Sequence, residues 1–538
     1  MTHVTDDSNT SIMKHKTPRK MADKDTFVKE MTEGYTFEGP SIMLGGAMLN
    51  GETQTGTLVR VPLKTLNRHG LISGSTGTGK TKSLQVLAEQ LSQEGVPTLL
   101  MDIKGDLSGI AVPSEGHPKI DERHEAIGVP FEAGDSPVEF LTLSDEPGVR
   151  LRATLTEFGP VLFSRMLDLT PTQEGIIAVV FKYCDDHDIP LLDLQDLRKT
   201  LQYMTGEGKE DVEDTYGRMS TNSVGAILRK LIGLEQQGAG RFFGERSFDV
   251  DHLLRKDEKG RGMVSIVRLT DIQDRPMLFS TFMLQLLAEI YSTFPEEGDQ
   301  DKPKLVIFID EAHLVFDEAT DTLLDQIEVM VKLIRSKGVG LFFCTQNPID
   351  IPDEVLSQLG MKLQHALRAF TAKDRKAIRL AAQNFPETEH YDVSELLTQL
   401  GIGEALITVL NEKGIPTPLV HTMMRAPQSR MDILSSREIG AILDRSNIID
   451  QYNEDIDRES AEEILQEKID FAREAEELAR KEEEQRKIKR SSRRKEKSII
   501  EEVMNSTTTR QIGRTVAREL TRGLLSVLGV SSTSRRRR

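Results

Sequence analysis

With 69 Lys and Arg against 86 Asp and Glu over 538 residues, the chain carries a net charge of -17, which excludes a surface that coats nucleic acid on every side, since phosphate neutralisation requires basic residues. It does not exclude a ring whose narrow pore is basic while its outside stays acidic. The two cysteines, Cys184 and Cys344, lie in separate contexts and form no zinc or disulfide pattern, as suits a reducing cytoplasm, and the chain shows neither a signal-peptide core nor an apolar run of about eighteen residues, so no integral membrane segment is expected.

Residues 1–35 are polar, mixed in charge and without periodicity, and read as a flexible leader. Two strand-like runs, 41–48 and 56–61, flank Asn50-Gly51, a strong turn signal that predicts a hairpin. Gly70-Leu71-Ile72-Ser73 then reads as a buried strand, and directly after it comes Gly74-Ser75-Thr76-Gly77-Thr78-Gly79-Lys80-Thr81. This is the phosphate-binding form G-x-x-x-x-G-K-[ST]. A triphosphate needs backbone N–H groups converging on it, and Gly74, Gly77 and Gly79 let the chain wrap that closely. Lys80 supplies a point charge, Thr81 a hydroxyl for Mg²⁺, and the helix over 80–92 aims its positive end at the phosphates. A chance match in a chain this long arises roughly 2% of the time at ordinary residue usage, and the order strand, loop, helix lowers that further. The chain is therefore expected to bind a nucleoside triphosphate, with ATP and Mg²⁺ as its cofactors.

A second buried strand, 98–102, follows, and its pattern opens an α/β sheet. After Asp106 the sheet pattern is suspended for about 150 residues, and helical periodicity at 164–167, 174–183 and 224–235 marks an inserted helical subdomain over about 150–250. Strands resume at 263–267, 304–310 and 340–345, separated by helix-length segments. The last strands, 361–367 and 404–409, close a domain that runs from 36 to about 430. A charged helical or coiled-coil segment then occupies 431–505, solvated and without Pro or Gly beyond Tyr452. Over 506–538, Arg510, Arg514, Arg518 and Arg522 recur at four-residue spacing while Ile512, Val516, Leu520, Leu524 and Leu528 share another face. That is a basic amphipathic helix with an Arg-rich tail, equally suited to acidic lipid, DNA or packing on its own ring.

The apolar strand 305–309 ends in Asp310-Glu311, adjacent acids with separable tasks: Asp310 can hold the Mg²⁺ water shell beside Thr81, and Glu311 can polarise a water for attack on the γ-phosphate. The strand 341–345 ends in Gln346-Asn347, which puts Gln346 at the sheet edge where ligands of open α/β sheets bind, as a γ-phosphate sensor or as a plain strand-end amide. Hydrolysis also calls for a cation against the charge on the transferred phosphoryl group, and Arg335 and Arg368 are the candidates. Asp102-Ile103-Lys104-Gly105-Asp106 follows the second strand at the same edge; its acids can meet metal-bound water and Lys104 a phosphate or neighbouring subunit, and an ordinary turn accounts for it as well.

Taken as a set, Gly74 to Thr81, Met101 to Asp106, Phe308-Ile309-Asp310-Glu311-Ala312-His313 and Cys344-Thr345-Gln346-Asn347-Pro348 resemble the HerA/FtsK superfamily of P-loop ATPases, and more closely the bacterial HerA-like (YjgR-type) ATPases. The resemblance covers about residues 35–430. It implies a RecA-like core with a mostly parallel sheet, working as a homo-hexameric ring with ATP between neighbours, as in translocases and helicases of double-stranded DNA. By that resemblance Lys80 and Thr81 bind phosphate and Mg²⁺, Asp310 supports the metal, Glu311 is the catalytic base, Gln346 is the sensor and Arg335 acts in trans. The competing reading is an ATP-controlled ring or switch whose C-terminal helix binds a protein partner or membrane surface. A phosphotransferase is a third, disfavoured because the Asp310-Glu311 pair points to water as acceptor.

Overall fold

The computed structural model describes residues 23–272, 275–298, 300–316, 321–456 and 458–496; the basic amphipathic segment 506–538 lies outside the described residues. Its centre is a 12-stranded sheet of β1 (Ser41–Leu49), β2 (Glu52–Pro62), β3 (Gly70–Ser73), β4 (Thr98–Asp102), β5 (Val138–Thr142), β6 (Val149–Arg150), β7 (Val264–Arg268), β8 (Leu305–Ile309), β9 (Val339–Thr345), β10 (Met361–Gln364), β11 (Glu404–Thr408) and β12 (Val420–Met424). The spatial order is β2-β1-β12-β11-β10-β3-β9-β8-β4-β7-β5-β6. From β10 to β6 every neighbouring pair is parallel, whereas β2, β1, β12 and β11 are joined antiparallel.

Burial on both faces explains the unbroken apolar strands. In β8, Leu305, Ile307 and Ile309 face one core and Val306 and Phe308 the other, as the period of two requires. The second core is closed by the helix Lys80–Gln93 through Leu84, Leu87, Ala88 and Leu91, and the first by the helix Pro276–Thr293 through Leu278, Phe279 and Phe282. The β1-β2 hairpin turns at Asn50 and Gly51, with φ of 52° and 82°, the left-handed pair that a tight hairpin favours.

Three expectations need correction. Residues 24–34, read as leader, form the helix Lys24–Gly34. Phe27, Met31 and Tyr35, four apart, are buried, with Phe27 edge-on to His390 and Tyr391 and the Tyr35 hydroxyl donating to the Pro418 carbonyl at 2.7 Å. A stripe this narrow is marginal alone, and tertiary packing stabilises it. The sheet is also not suspended after Asp106, because β5 and β6 extend it past β7. Finally, β12 pairs with both β1 and β11, tying the hairpin to the core.

Between β6 and β7 stand the helices Leu155–Met166, Pro171–Asp186, Leu194–Thr205, Lys209–Tyr216 and Thr221–Gln236. Thr154 and Asp193 cap two of them by accepting backbone N–H groups of the first turn. After β12 the chain continues through Ser436–Leu443 and Ile449–Asn453 into the helix Ala461–Glu496. Two compact units divide at Gln466. In the first, the start of that helix is held by Ala461 donating to the Pro190 carbonyl and Glu462 N–H to Asp196, at 3.0 and 2.9 Å. In the second, the helix presents exposed charge, including the Glu477 and Lys481 pair at 3.6 Å.

Candidate active site

Parallel register brings the strand ends to one rim. Ser73 pairs with Thr345, Ile309 with Phe343, and Met101 with Ile309. Gly74, Gln346, Asp310 and Asp102 therefore leave the sheet together, although 272 positions separate the first two in sequence.

The phosphate loop is held from below by the protein's own backbone. Gly74 N–H donates to the Thr345 carbonyl at 3.2 Å, Ser75 N–H to Ala366 at 2.8 Å, and Gly403 N–H to Thr78 at 2.9 Å. Its glycines are required by space as well as conformation: Gly74, at φ 150°, would put a Cβ 2.5 Å from the His365 Cβ, and Gly79, at φ 117°, one 3.3 Å from Gly403. Lys80 is buried, and its ammonium donates to the Ser75 carbonyl at 3.4 Å. Burial and the nearby Lys104 charge lower its pKa, against the pull of Glu311 and Asp310. Thr81 follows as the second residue of the helix.

Asp310 and Glu311 are both buried. Burial raises the Asp310 pKa to about 6, with Lys104 opposing and Glu311 adding to the rise, and its Oδ2 has no hydrogen-bond partner. A buried, unpartnered carboxylate oxygen beside the phosphate loop is what a cation site needs, so the residues present fit Mg²⁺. Glu311 takes a left-handed backbone, φ 45°. Burial alone would raise its pKa, but its ion pair with Lys104, with His313 and Lys80 nearby, brings it below the ordinary value.

Gln346 is exposed at the end of β9 and accepts from the Thr76 hydroxyl at 3.3 Å. Beside it lies a cleft of about 410 Å³ lined by Ser75, His313, Gln346, Asn347, Asp350 and Arg368 among others. Arg368 reaches this rim: its backbone N–H donates to the Ser75 hydroxyl at 3.0 Å, and its guanidinium donates to the Thr398 carbonyl at 3.2 Å. Arg335 does not. It precedes β9, at the amino edge of the sheet, where its charge bears on the buried His69, and the seven residues of β9 put roughly 23 Å of strand between it and Gln346.

Asp102 proves to be a turn-former. Its carboxylate accepts the N–H groups of Gly105, Asp106 and Leu107 at 2.8, 3.2 and 3.2 Å, and so delivers Lys104 to Glu311. Two supports were missed from sequence. Asp350 accepts from the Thr345 hydroxyl at 2.7 Å and Asn347 N–H at 3.1 Å, fixing the turn that carries Gln346. His365 backs the loop, with its ring nitrogens 2.9 Å from the Ser83 hydroxyl and 2.7 Å from the Glu404 carbonyl. The Asn347-Pro348-Ile349-Asp350 capping pattern was readable in advance; the His365 contacts join residues 282 and 39 apart and left no local signal.

A model of the helicase HerA-like C-terminal family matches residues 47–536. Among curated proteins, the chain is similar to the DNA double-strand break repair helicase HerA of Saccharolobus solfataricus, 23% identical over 369 residues covering 66% of each chain. The probable helicase MJECL08 of Methanocaldococcus jannaschii is 25% identical over 383 residues, again 66% of each. The chain thus spans just under two thirds of the length of these relatives. A solved structure of the plasmid coupling protein TrwB in complex with a non-hydrolysable ATP analogue aligns with a TM-score of 0.49 at 14% identity, over 78% of this chain and 97% of that one. The family match spans most of the chain and includes every residue assembled at the rim: this protein belongs to the helicase HerA-like C-terminal family.

Proposed function

We propose that the protein is an ATP-hydrolysing motor of the HerA/FtsK type, acting as a homo-hexameric ring on double-stranded DNA in the cytoplasm. The observation that carries this reading is the meeting of Lys80, Asp310, Glu311 and Gln346 at one rim beside a loop built for phosphate. Residues 36–430 form the ATPase domain, with 150–250 inserted, and 431–505 and 506–538 are accessory segments. The backbone of Gly74 to Thr81 and the Lys80 ammonium bind the phosphates. Thr81 and Asp310 would hold Mg²⁺, which, when bound, neutralises charge developing on the phosphoryl oxygens. Glu311 accepts the proton of the attacking water while Gln346 orients that water or senses the γ-phosphate. Arg368 serves the nucleotide of its own chain; Arg335, at the opposite edge, can serve only the nucleotide of a neighbouring subunit.

The relatives named as DNA double-strand break repair helicases support DNA as substrate. The test is ATP hydrolysis with and without linear double-stranded DNA at low and moderate salt, with Glu311→Gln as background. Strong stimulation that weakens with salt supports the motor. Steady hydrolysis indifferent to DNA removes DNA from the reading and moves the search to a protein or membrane partner at the C-terminal segment.

A further inference from the structure

The Glu311 carboxylate carries an ion pair on one oxygen. Lys104 forms an ion pair with Oε1, and His313 Nδ1 stands 3.3 Å from Oε2. An ammonium on Oε1 stabilises the charged carboxylate and so opposes its taking the proton of an attacking water. The two members of the ion pair differ in freedom. The Glu311 side chain is 6% exposed, that of Lys104 36%. The Lys104 backbone belongs to a turn fixed by three hydrogen bonds to Asp102, and its side chain is a flexible four-carbon stem with a compact charge. The ammonium can therefore swing while its anchor stays put. Its charge also bears on Lys80 and Asp310, so it sits where phosphate charge would compete for it.

We infer that Lys104 is a positioning residue that latches Glu311 through Oε1, and that hydrolysis requires its ammonium to leave that oxygen. The inference rests on the reading of Glu311 as the base. A bound triphosphate offers the ammonium an alternative partner, and its departure lets the carboxylate accept the proton as water oxygen bonds to the γ-phosphorus and the β-γ bridging bond breaks. A merely structural ion pair makes the opposite forecast, because deleting one partner strands a buried charge, destabilises the site and slows turnover.

The test is steady-state ATP hydrolysis by the full chain, with and without linear double-stranded DNA, for wild type, Lys104→Met, Lys104→Arg, Glu311→Gln and the Lys104→Met/Glu311→Gln double variant. Lys104→Met should raise basal kcat about 3- to 10-fold, a small part of what a general base contributes, with KM within about twofold and a smaller ratio of stimulated to basal rate. Lys104→Arg should stay nearer wild type, and the double variant should be as slow as Glu311→Gln, showing that the gained rate runs through Glu311. Should Lys104→Met fail to fold, as thermal melting would reveal, Lys104→Gln is read in the same way. Basal kcat at or below wild type in a folded variant overturns the latch. Wild-type turnover in Glu311→Gln overturns instead the assignment of the base.

Discussion

The Thr76 hydroxyl donates to Oε1 of Gln346 at 3.3 Å, joining the middle of the phosphate loop to the turn that ends β9. That turn is braced by Asp350 from beneath, so Gln346 stands on a fixed base beside the place where phosphate enters. If it acts on the γ-phosphate or the water, Gln346→Ala should lower kcat by about 10²- to 10³-fold, the scale of one lost transition-state hydrogen bond, while KM moves little. A rise in KM at unchanged kcat would show that the amide only steadies the loop.

Lys80 and Glu311 share the rim but serve different steps, and paired variants separate them. Lys80→Ala should abolish binding of a fluorescent ATP analogue together with turnover. Glu311→Gln should retain binding and trap ATP, with turnover lower by about 10² to 10⁴. Equilibrium binding beside single-turnover hydrolysis reads both, and loss of ATP binding in Glu311→Gln would contradict its role.

What was legible in the sequence was what is local. The phosphate loop, the apolar strand ending in Asp310-Glu311 and the strand ending in Gln346 each carry their chemistry within a few residues, and the parallel sheet follows from buried strands spaced by helices. What was not legible depends on partners far along the chain. β12 is a strand because β1 and β11 receive it, and the helix Lys24–Gly34 persists because His390 and Tyr391 pack on Phe27. Arg335 and Arg368 looked equivalent as candidates. Strand direction separates them: Arg335 precedes β9 and so falls at its amino edge, whereas Arg368 follows β10 and so falls at the carboxyl edge with the loop.

Gly74 tests whether the loop needs glycine for conformation or for space. Its φ of 150° and the His365 Cβ at 2.5 Å act together, while Gly77, at φ 75°, has nothing within 4 Å of an added Cβ. Gly74→Ala should cost more than the roughly 1 to 3 kcal/mol of backbone strain alone and should remove nucleotide binding. Gly77→Ala should cost only about the strain. Thermal melting with analogue binding on both variants checks the order, and equal losses would refute the crowding by His365.

His365 gives the site a pH signature. Burial drives its pKa down from 6.5 to about 4, so the folded state keeps the ring neutral where the unfolded chain takes up a proton. Above the unfolded value there is no effect. As pH falls below it the unfolded chain binds more protons and stability is lost. Between pH 8 and pH 5 that loss amounts to about 2 kcal/mol from this one group. His365→Gln lacks it, so denaturant unfolding of the two proteins at both pH values should show the gap narrowing in acid by about that amount. A gap independent of pH would mean that His365 has the same pKa in the folded and unfolded chains.

Mixed assemblies decide which arginine answers the transferred phosphoryl charge. If Arg335 acts across a subunit boundary, Arg335→Ala and Glu311→Gln chains are each inactive alone, because one lacks the cation for its neighbour and the other the base for itself. In a mixed ring, a site with Glu311 from an Arg335→Ala chain and Arg335 from a Glu311→Gln neighbour is complete, and hydrolysis should reappear in proportion to such pairs. Arg368 stands beside Ser75 of its own chain, so Arg368→Ala mixed with Glu311→Gln should restore nothing: every site lacks one of two groups that must come from the same subunit. Either loss should reach the scale of an arginine finger, about 10³ to 10⁵ in rate. Rescue in the first mixture and not the second assigns the trans role to Arg335. Failure of both, with Arg368→Ala inactive by itself, leaves Arg368 as the cation and removes Arg335 from the chemistry.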